Sequence, residues 1–369
     1  MVPSIRELAV LYRELAGRKV LSVYVNGEAR DPAERHAWRR RLMHALAGIR
    51  GELAGDAAER AEFEAAAAHI EGALAGVDAF LPGRGWVGFA TPDRLWYAGS
   101  LPAPMPDEVH WGVGLRVAPQ IRGLKQNRPV AALLLDRRRA RIFRYVAGRL
   151  DEPVDLVAET DLGDLTDARA GKRAATRTGM RGSTGTDTAQ RLLAAGAERL
   201  LRAAVDRVVE TAGDDGFLVL GGTPEMTAAA ERRLPDRLRD RVLANPSLHL
   251  EMSSAEVKDA LEAAASTLSA RLHRALAEEV VDLARAGGRG CTGIEATASA
   301  LGAGSVDLLL FTRSFREAHP EEAERAVGAA LLEGALIEEV AGSGAEILDA
   351  AGGIGARLRY RLPETAGVA

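Results

Sequence analysis

The spacing of apolar residues predicts alternating helices and strands in the first third of the chain. Apolar residues recur at helical spacing over 5–15 behind Ser4, a residue type that caps helices. The segment 20–25 is rich in β-branched and aromatic residues and stops at Asn26-Gly27, a turn signal. Two further helices and then three strands are predicted at residues 32–49, 57–77, 86–90, 95–98 and 109–117. We therefore expect an α/β domain over residues 1–124.

A change of pattern near residue 125 marks the start of a second predicted domain. The continuous apolar run 130–135 ends at Asp136, and apolar residues alternate over 141–146 after an arginine-rich turn, which predicts a β-hairpin. A third strand is predicted at 154–159. Residues 160–188 are then rich in Gly, Thr, Asp and Arg and have no periodicity. Loops of this length without secondary structure are usually functional or disordered.

The rest of the chain alternates between predicted helices and strands, a pattern typical of α/β proteins. The elements expected in the middle domain, residues 125–287, are a helix at 189–212, a strand at 217–220, a helix after 221–224, a strand at 248–252 and a helix from 253 or 254 to 286. The glycines of 287–290 predict a flexible break. The elements expected in a third α/β domain, residues 288–369, are helices at 292–301 and 321–333 and strands at 306–311, 336–340 and 354–361.

Charge and residue usage exclude several classes of function. The net charge of −4 argues against a protein that coats nucleic acid through its overall charge, so any RNA contact must be regional. The single cysteine, Cys291, excludes an internal disulfide, and the 7 histidines lack metal-binding spacing. No apolar run approaches the about 18 residues of a membrane span. Because charges interrupt the apolar N-terminus, we expect a cytoplasmic protein with no signal peptide. We also expect no metal and no cofactor.

Two C-terminal segments carry a resemblance to a known family. ALGAGSVDLLLFTRSF, which begins at Ala300, and AAGGIGARLRYRLP, which includes Gly352 to Tyr360, resemble the last domain of archaeo-eukaryotic class I release factors and Pelota. VAALLLDRRRARIFRYVAGRL, at 130–150, resembles the opening hairpin of their middle domain. The resemblance implies an α/β protein of three domains. Their expected roles are an N-terminal domain on the decoding-centre side, a ribonuclease-H-like middle domain and an L7Ae-like C-terminal domain.

The middle-domain loop departs from the pattern of that family. Release factors carry Gly-Gly-Gln at its tip, whereas residues 178–190 contain no Gly-x-Gln triplet. Thr184 takes the position that a direct alignment gives the glutamine, and Gln190 lies at the start of the following helix. A threonine hydroxyl does not reproduce the amide that would assist ester hydrolysis. We therefore expect a loop that reaches RNA without hydrolysing peptidyl-tRNA, with Thr184 and Gln190 catalytic only if the protein is a hydrolase.

Three groups of cations are candidate RNA contacts. The loop residues expected to bind ribosomal RNA are Lys172, Arg173, Arg177, Arg181, Gly182, Ser183, Thr184 and Gly185. A solvated loop without a ligand is the alternative. The N-terminal cations Arg35, Arg39 and Arg40 flank Trp38, which either stacks on a base or points into the core, so a plain helix face remains as good an interpretation. The arginine-rich turn at 137–141 slightly favours contact with RNA or a partner.

The function implied by the resemblance is that of a ribosome-binding factor. An intact scaffold with a degenerate loop tip is similar to ribosome hibernation factors of the Balon type. Such proteins occupy the ribosomal A site, reach both 16S and 23S rRNA and can associate with elongation factor Tu. We therefore expect a non-enzymatic hibernation or stress factor with that factor or another translational GTPase as a possible partner. The alternatives are a peptidyl-tRNA hydrolase that rescues stalled ribosomes and a Pelota-like surveillance factor.

Overall fold

Packing divides the chain into two compact units. The computed structural model describes residues 5–28, 34–77, 79–101, 103–151, 153–158 and 185–361. Unit 1 comprises residues 1–127 and 270–369, and unit 2 comprises residues 128–269. Both units are mixed α/β structures. The division into three domains at 124 and 287 stays a prediction.

The N-terminal part of unit 1 is an antiparallel sheet covered by helices. Its elements are α1 (Ile5–Glu14), β1 (Lys19–Asn26), α2 (Ala37–Glu52), α3 (Ala57–Leu74), β2 (Gly85–Thr91), β3 (Arg94–Leu101), β4 (Glu108–Val113) and α4 (Ala118–Gln126). The strand order is β3-β2-β1-β4. Trp38 and Phe63 are buried under α2 and α3 against one face of the sheet, so Trp38 points into the core. Asp56 caps α3 by accepting the amides of Ala58 and Glu59.

Unit 2 is built on a sheet that is parallel on one side and antiparallel on the other. Its elements are β5 (Val130–Leu135), β6 (Arg139–Val146), β7 (Arg149–Leu150), β8 (Val154–Val157), α5 (Gly185–Ala212), β9 (Phe217–Gly222), α6 (Pro224–Glu231), β10 (Val242–Ala244) and the first half of α7 (Ser254–Arg285). The strand order is β10-β9-β5-β6-β7, with β8 also on β6. The predicted hairpin is confirmed as β5 and β6. Leu200, Val205 and Val208 of α5 pack against it.

The predicted strand at 248–252 is wrong. Leu248 and Leu250 are buried, yet these residues form turns and pair with no strand in the described part of the chain. The carbonyl of Leu248 accepts the amide of Gly222 at 2.7 Å. The guanidinium of Arg141 donates to the carbonyls of Leu250 at 2.7 Å and Met252 at 3.0 Å. A side chain thus supplies donors that a neighbouring strand supplies in a sheet.

The C-terminal part of unit 1 is a second α/β layer. Its elements after the last half of α7 are β11 (Gly290–Thr292), α8 (Ile294–Gly302), β12 (Val306–Thr312), α9 (Arg313–Ala318), α10 (Pro320–Glu333), β13 (Leu336–Val340), α11 (Ser343–Asp349) and β14 (Ile354–Leu358). The strand order is β11-β14-β12-β13, in which β12 and β13 are parallel. The glycines of the expected flexible break close the end of α7 and begin β11, because Gly290 pairs with Arg357.

The two parts of unit 1 share one hydrophobic cluster. Leu8 of α1 and Phe89 of β2 belong to the same cluster as Phe311 of β12 and Val327 of α10. Helix α1 lies against α10. The two ends of the sequence therefore bury apolar surface together, which is the main favourable contribution to folding.

Candidate functional site

The turn between β5 and β6 holds two arginines at the surface of unit 2. Asp136 Oδ1 accepts the backbone amides of Arg138 at 2.7 Å and Arg139 at 2.8 Å. An aspartate that bonds its own backbone two residues on fixes a tight turn. Arg137 and Arg138 are exposed at this turn. The sequence DRRR therefore presents guanidinium groups at a defined end of the sheet.

Strand β8 brings the chain to the same turn just before residues 159–184. Val157 pairs with Arg139, and the amide of Ala158 donates to the carbonyl of Arg138 at 2.8 Å. Described structure resumes at Gly185, the first residue of α5. Gln190 of α5 is exposed and lines a cavity together with Arg137 and Arg138. The two ends of the predicted RNA-binding loop are therefore near the turn between β5 and β6 that exposes Arg137 and Arg138, which we call the arginine turn.

Most of the predicted loop contacts lie outside the described residues. These are Lys172, Arg173, Arg177, Arg181, Gly182, Ser183 and Thr184. Gly185 lies in α5, and Gln190 occupies the second turn of that helix. The rRNA contacts and the conditional catalytic roles of Thr184 and Gln190 stay predictions.

A groove of about 660 Å³ lies between the arginine turn and helices α5 and α6, and we call it the hairpin groove. Its floor is apolar and is formed by Leu193, Ala194, Ala197, Leu201, Met226 and Ala229. Its rim is polar and is formed by Arg137, Arg138, Gln190, Glu198, Glu225, Arg232 and Arg233. The volume falls in the range of small-ligand pockets, which is about 300–1,000 Å³.

Two of the four arginines on the rim are held by glutamates. Arg137 Nη2 lies 2.8 Å from both carboxylate oxygens of Glu225, and Arg233 Nη2 lies 2.7 and 2.8 Å from those of Glu198. The Arg137–Glu225 pair is 69% exposed on both sides, so its net contribution to stability is small. Within the described ranges, no carboxylate pairs with Arg138 or Arg232. The rim therefore carries an excess of positive charge.

The N-terminal cations do not share one role. Arg39 Nη2 donates to the carbonyl of Val77 at 2.8 Å and more weakly to that of Leu74, so it satisfies carbonyls at the end of α3. Arg35 and Arg40 are exposed. Their predicted contact with RNA is compatible with these positions and remains a prediction, whereas Arg39 has a structural role that the helical spacing did not reveal.

Arg232 and Arg233 were missed by sequence reasoning. They follow α6, whose start is set by the parallel pairing of β9 with β5, with Gly222 opposite Leu135. That pairing joins segments about 90 residues apart in sequence, so local pattern gave no reason to group these cations with the arginine turn. An adjacent pair of arginines after a short helix was the available signal.

The described residues offer no site for a metal ion and no membrane span. No group of three or more His, Cys, Asp and Glu side chains in these ranges is arranged to hold a metal. None of the described helices combines the length and apolar character needed to cross a bilayer.

Comparison with known proteins gives a family match for the segment that carries the hairpin groove. Residues 116–268 match the model of bacterial archaeo-eukaryotic release factor family 10. No curated protein matches the chain.

Among solved structures, S. cerevisiae Dom34, a translation termination-like factor involved in RNA quality control and interacting with Hbs1, is 12% identical, covers 64% of each chain and has a TM-score of 0.44. Archaeal Pelota, from a model of its ribosome-bound form with ABCE1, is 12% identical over 98% of this chain and 95% of its own, with a TM-score of 0.41. The archaeal termination factor aRF1 is 16% identical over 97% and 99%, with a TM-score of 0.27. Because these TM-scores are below 0.5, the likeness of this chain to archaeo-eukaryotic release factors rests on the family match of residues 116–268.

Proposed function

We propose that the protein is a ribosome-binding translation factor that occupies the A site and protects or inhibits idle ribosomes during stress. The observation that carries the proposal is the cationic end of unit 2. There the arginine turn, the hairpin groove and both ends of segment 159–184 lie together within a segment that matches a release-factor family. In this proposal unit 2 contains the ribonuclease-H-like fold and the C-terminal part of unit 1 the L7Ae-like fold.

The chemistry of this end suits contact with RNA phosphates. Arginine guanidinium groups bind phosphate oxygens through paired N–H donors. The loop residues Lys172, Arg173, Arg177 and Arg181 add four cations between the two anchored ends. In the proposal they bind 23S rRNA, while Arg35 and Arg40 of unit 1 bind 16S rRNA. A translational GTPase such as elongation factor Tu is the proposed partner.

Sedimentation with ribosomes tests this function. Full-length protein is expected to co-sediment with purified vacant 70S ribosomes at low salt and to dissociate steeply as salt rises, because phosphate contacts release counterions. Replacing Lys172, Arg173, Arg177 and Arg181 together by Ala should lower the bound fraction. The matched control replaces four exposed arginines outside the candidate surfaces, Arg239, Arg271, Arg285 and Arg325, by Ala. Wild-type protein that stays in the ribosome-free fraction refutes the proposal.

A peptidyl-tRNA hydrolase is the second candidate, and the exposure of Gln190 beside the ends of the loop favours it. An exposed amide on the helix that follows the loop is available to orient water or stabilise an oxyanion. This function predicts release of the nascent chain from a stalled ribosome complex. Release should fall in Thr184→Ala or Gln190→Ala and persist in Arg191→Ala, an exposed neighbour on the same helix. Absence of release by wild-type protein bound to the complex excludes this candidate.

A further inference from the structure

The floor of the hairpin groove exposes apolar surface among cations. Leu193 is 49% exposed and lines this floor together with Ala194, Ala197 and Ala229. A double-stranded RNA presents phosphates and sugars outwards and does not offer base faces to such a floor. An unpaired nucleotide offers the flat face of its base to the apolar floor, and its phosphate remains accessible to the side chains of the rim.

The rim provides donors for both parts of a nucleotide. Arg138 and Arg232 are exposed, and no carboxylate in the described ranges neutralises either. Gln190 carries a carbonyl oxygen and an amide, so it can accept and donate at the edge of a base. The planar guanidinium of an arginine can also stack on a base where no aromatic residue lines the site.

The two glutamates on the rim each occupy an arginine that would otherwise be available to a phosphate. Glu225 and Glu198 each place both carboxylate oxygens within 2.8 Å of one guanidinium nitrogen, of Arg137 and Arg233 respectively. A phosphate oxygen that approaches either arginine must compete with a carboxylate. Because the Arg137–Glu225 pair is exposed, replacing the carboxylate of Glu225 by a phosphate costs little free energy.

We propose that the hairpin groove binds one unpaired nucleotide of RNA. The base lies on the floor at Leu193 and the phosphate lies between Arg138 and Arg232, while Glu198 and Glu225 compete with RNA for Arg233 and Arg137. This inference rests on the proposed ribosome-binding function and specifies its ligand as a single strand. The glutamates restrain binding, so their removal strengthens it.

Fluorescence anisotropy with a labelled uridine hexanucleotide tests the site in the full chain. Arg138→Ala and Arg232→Ala are each expected to weaken binding about five- to tenfold at low salt, which corresponds to the loss of a charge-assisted contact. Glu198→Gln and Glu225→Gln are each expected to tighten it about two- to fivefold, the range of an exposed ion pair. The control is Glu210→Gln, which removes one negative charge as the two other variants do and breaks a similar exposed pair with Arg207 outside the groove. If all three glutamine variants bind the hexanucleotide more tightly by the same factor, the proposal that Glu198 and Glu225 compete with RNA is overturned.

Three probes separate the nucleotide from other ligands. Leu193→Ser should weaken binding of the hexanucleotide about threefold or more, because a base contacts the apolar floor. The same substitution should leave binding of inorganic polyphosphate unchanged, because polyphosphate has no base. Equal binding of an RNA duplex or of a poly-glutamate peptide overturns the assignment to an unpaired nucleotide. The same variants are then sedimented with vacant 70S ribosomes. Wild-type binding to ribosomes without binding to the hexanucleotide refutes this inference alone, whereas failure to bind ribosomes refutes the proposed function.

Discussion

The carboxylate of Glu324 accepts a hydrogen bond of 2.5 Å from the backbone amide of Val117 and thereby joins the two parts of unit 1. Glu324 lies on α10 and is only 9% exposed, while Val117 precedes the first turn of α4. The positive end of the helix attracts a carboxylate at this position, whereas burial disfavours its charge. Burial raises the pKa of Glu324 to about 7, and the Val117 amide and Arg116 oppose the rise. Glu108 of β4 adds to the rise.

The first prediction concerns the pH dependence of stability. Because the pKa of Glu324 is about 7 in the folded protein and 4.5 is its ordinary value, the folded state binds more protons between these values. The free energy of unfolding therefore falls as pH rises from about 4.5 to about 7, by an amount on the order of a few kcal/mol. Glu324→Gln keeps an oxygen for the Val117 amide and removes the charge, so it should flatten this dependence.

Urea unfolding at pH 5 and pH 8 measures the effect. The variant should be more stable than wild type at pH 8 and close to it at pH 5. Glu295→Gln, at an exposed site in the same unit, is the control and should keep the wild-type dependence. If the stability of Glu324→Gln changes between pH 5 and pH 8 as much as that of wild type does, other groups cause the pH dependence.

The second prediction concerns the packing of α1 on α10. A Cβ placed on Gly328 would overlap the ring and hydroxyl oxygen of Tyr12. Gly328→Ala should therefore destabilise the protein by about 1–3 kcal/mol, the usual range for overpacking. Gly48→Ala is the matched control, since Gly48 lies inside α2 with open space around it. That variant should gain about 0.5–1 kcal/mol from helix propensity. An increase in stability in both variants would show that the contact of α1 with α10 contributes little to stability.

The third prediction concerns Arg141 and the turn that it supports. Arg141→Ala removes the donor to the carbonyls of Leu250 and Met252 and should cost about 1–3 kcal/mol. Arg144→Ala tests an arginine on the same strand whose pair with Asp151 is about half exposed, so it should cost less than about 1 kcal/mol. Thermal unfolding compares the two. Equal costs would mean that water replaces Arg141 at these carbonyls.

Local pattern predicted the buried elements and failed where a distant residue decides the structure. The limits of β5 and β13 were predicted correctly. The continuous apolar run of β5 ends at Asp136, and β13 lies between Gly334 and Gly342, which are turn residues. The segment 109–117 was predicted as one strand, but β4 ends at Val113 and α4 begins at Ala118. The capping carboxylate belongs to Glu324, about 200 residues away, and no local pattern contains it.

The candidate site was predictable only in part for the same reason. The arginine turn followed from the hairpin pattern, and the structure exposes Arg137 and Arg138 there. The hairpin groove needs α6 beside α5, and this depends on the pairing of β9 with β5. Side-chain competition on the rim, such as that of Glu198 for Arg233, depends on three-dimensional distances that spacing along one helix does not give.

The fourth prediction separates structural from RNA-binding roles among the N-terminal arginines. Arg39→Ala leaves the carbonyl of Val77 without its guanidinium donor and should lower the free energy of unfolding by about 1–2 kcal/mol. Arg40→Ala changes an exposed side chain and should leave stability within about 0.5 kcal/mol. If Arg40 contacts a phosphate, its loss should lower ribosome affinity and reduce the salt dependence by about one counterion. Urea unfolding and salt-dependent sedimentation are measured on both variants. Reduced stability in Arg40→Ala, or unchanged salt dependence in the stable variant, would remove this residue from the RNA-binding surface.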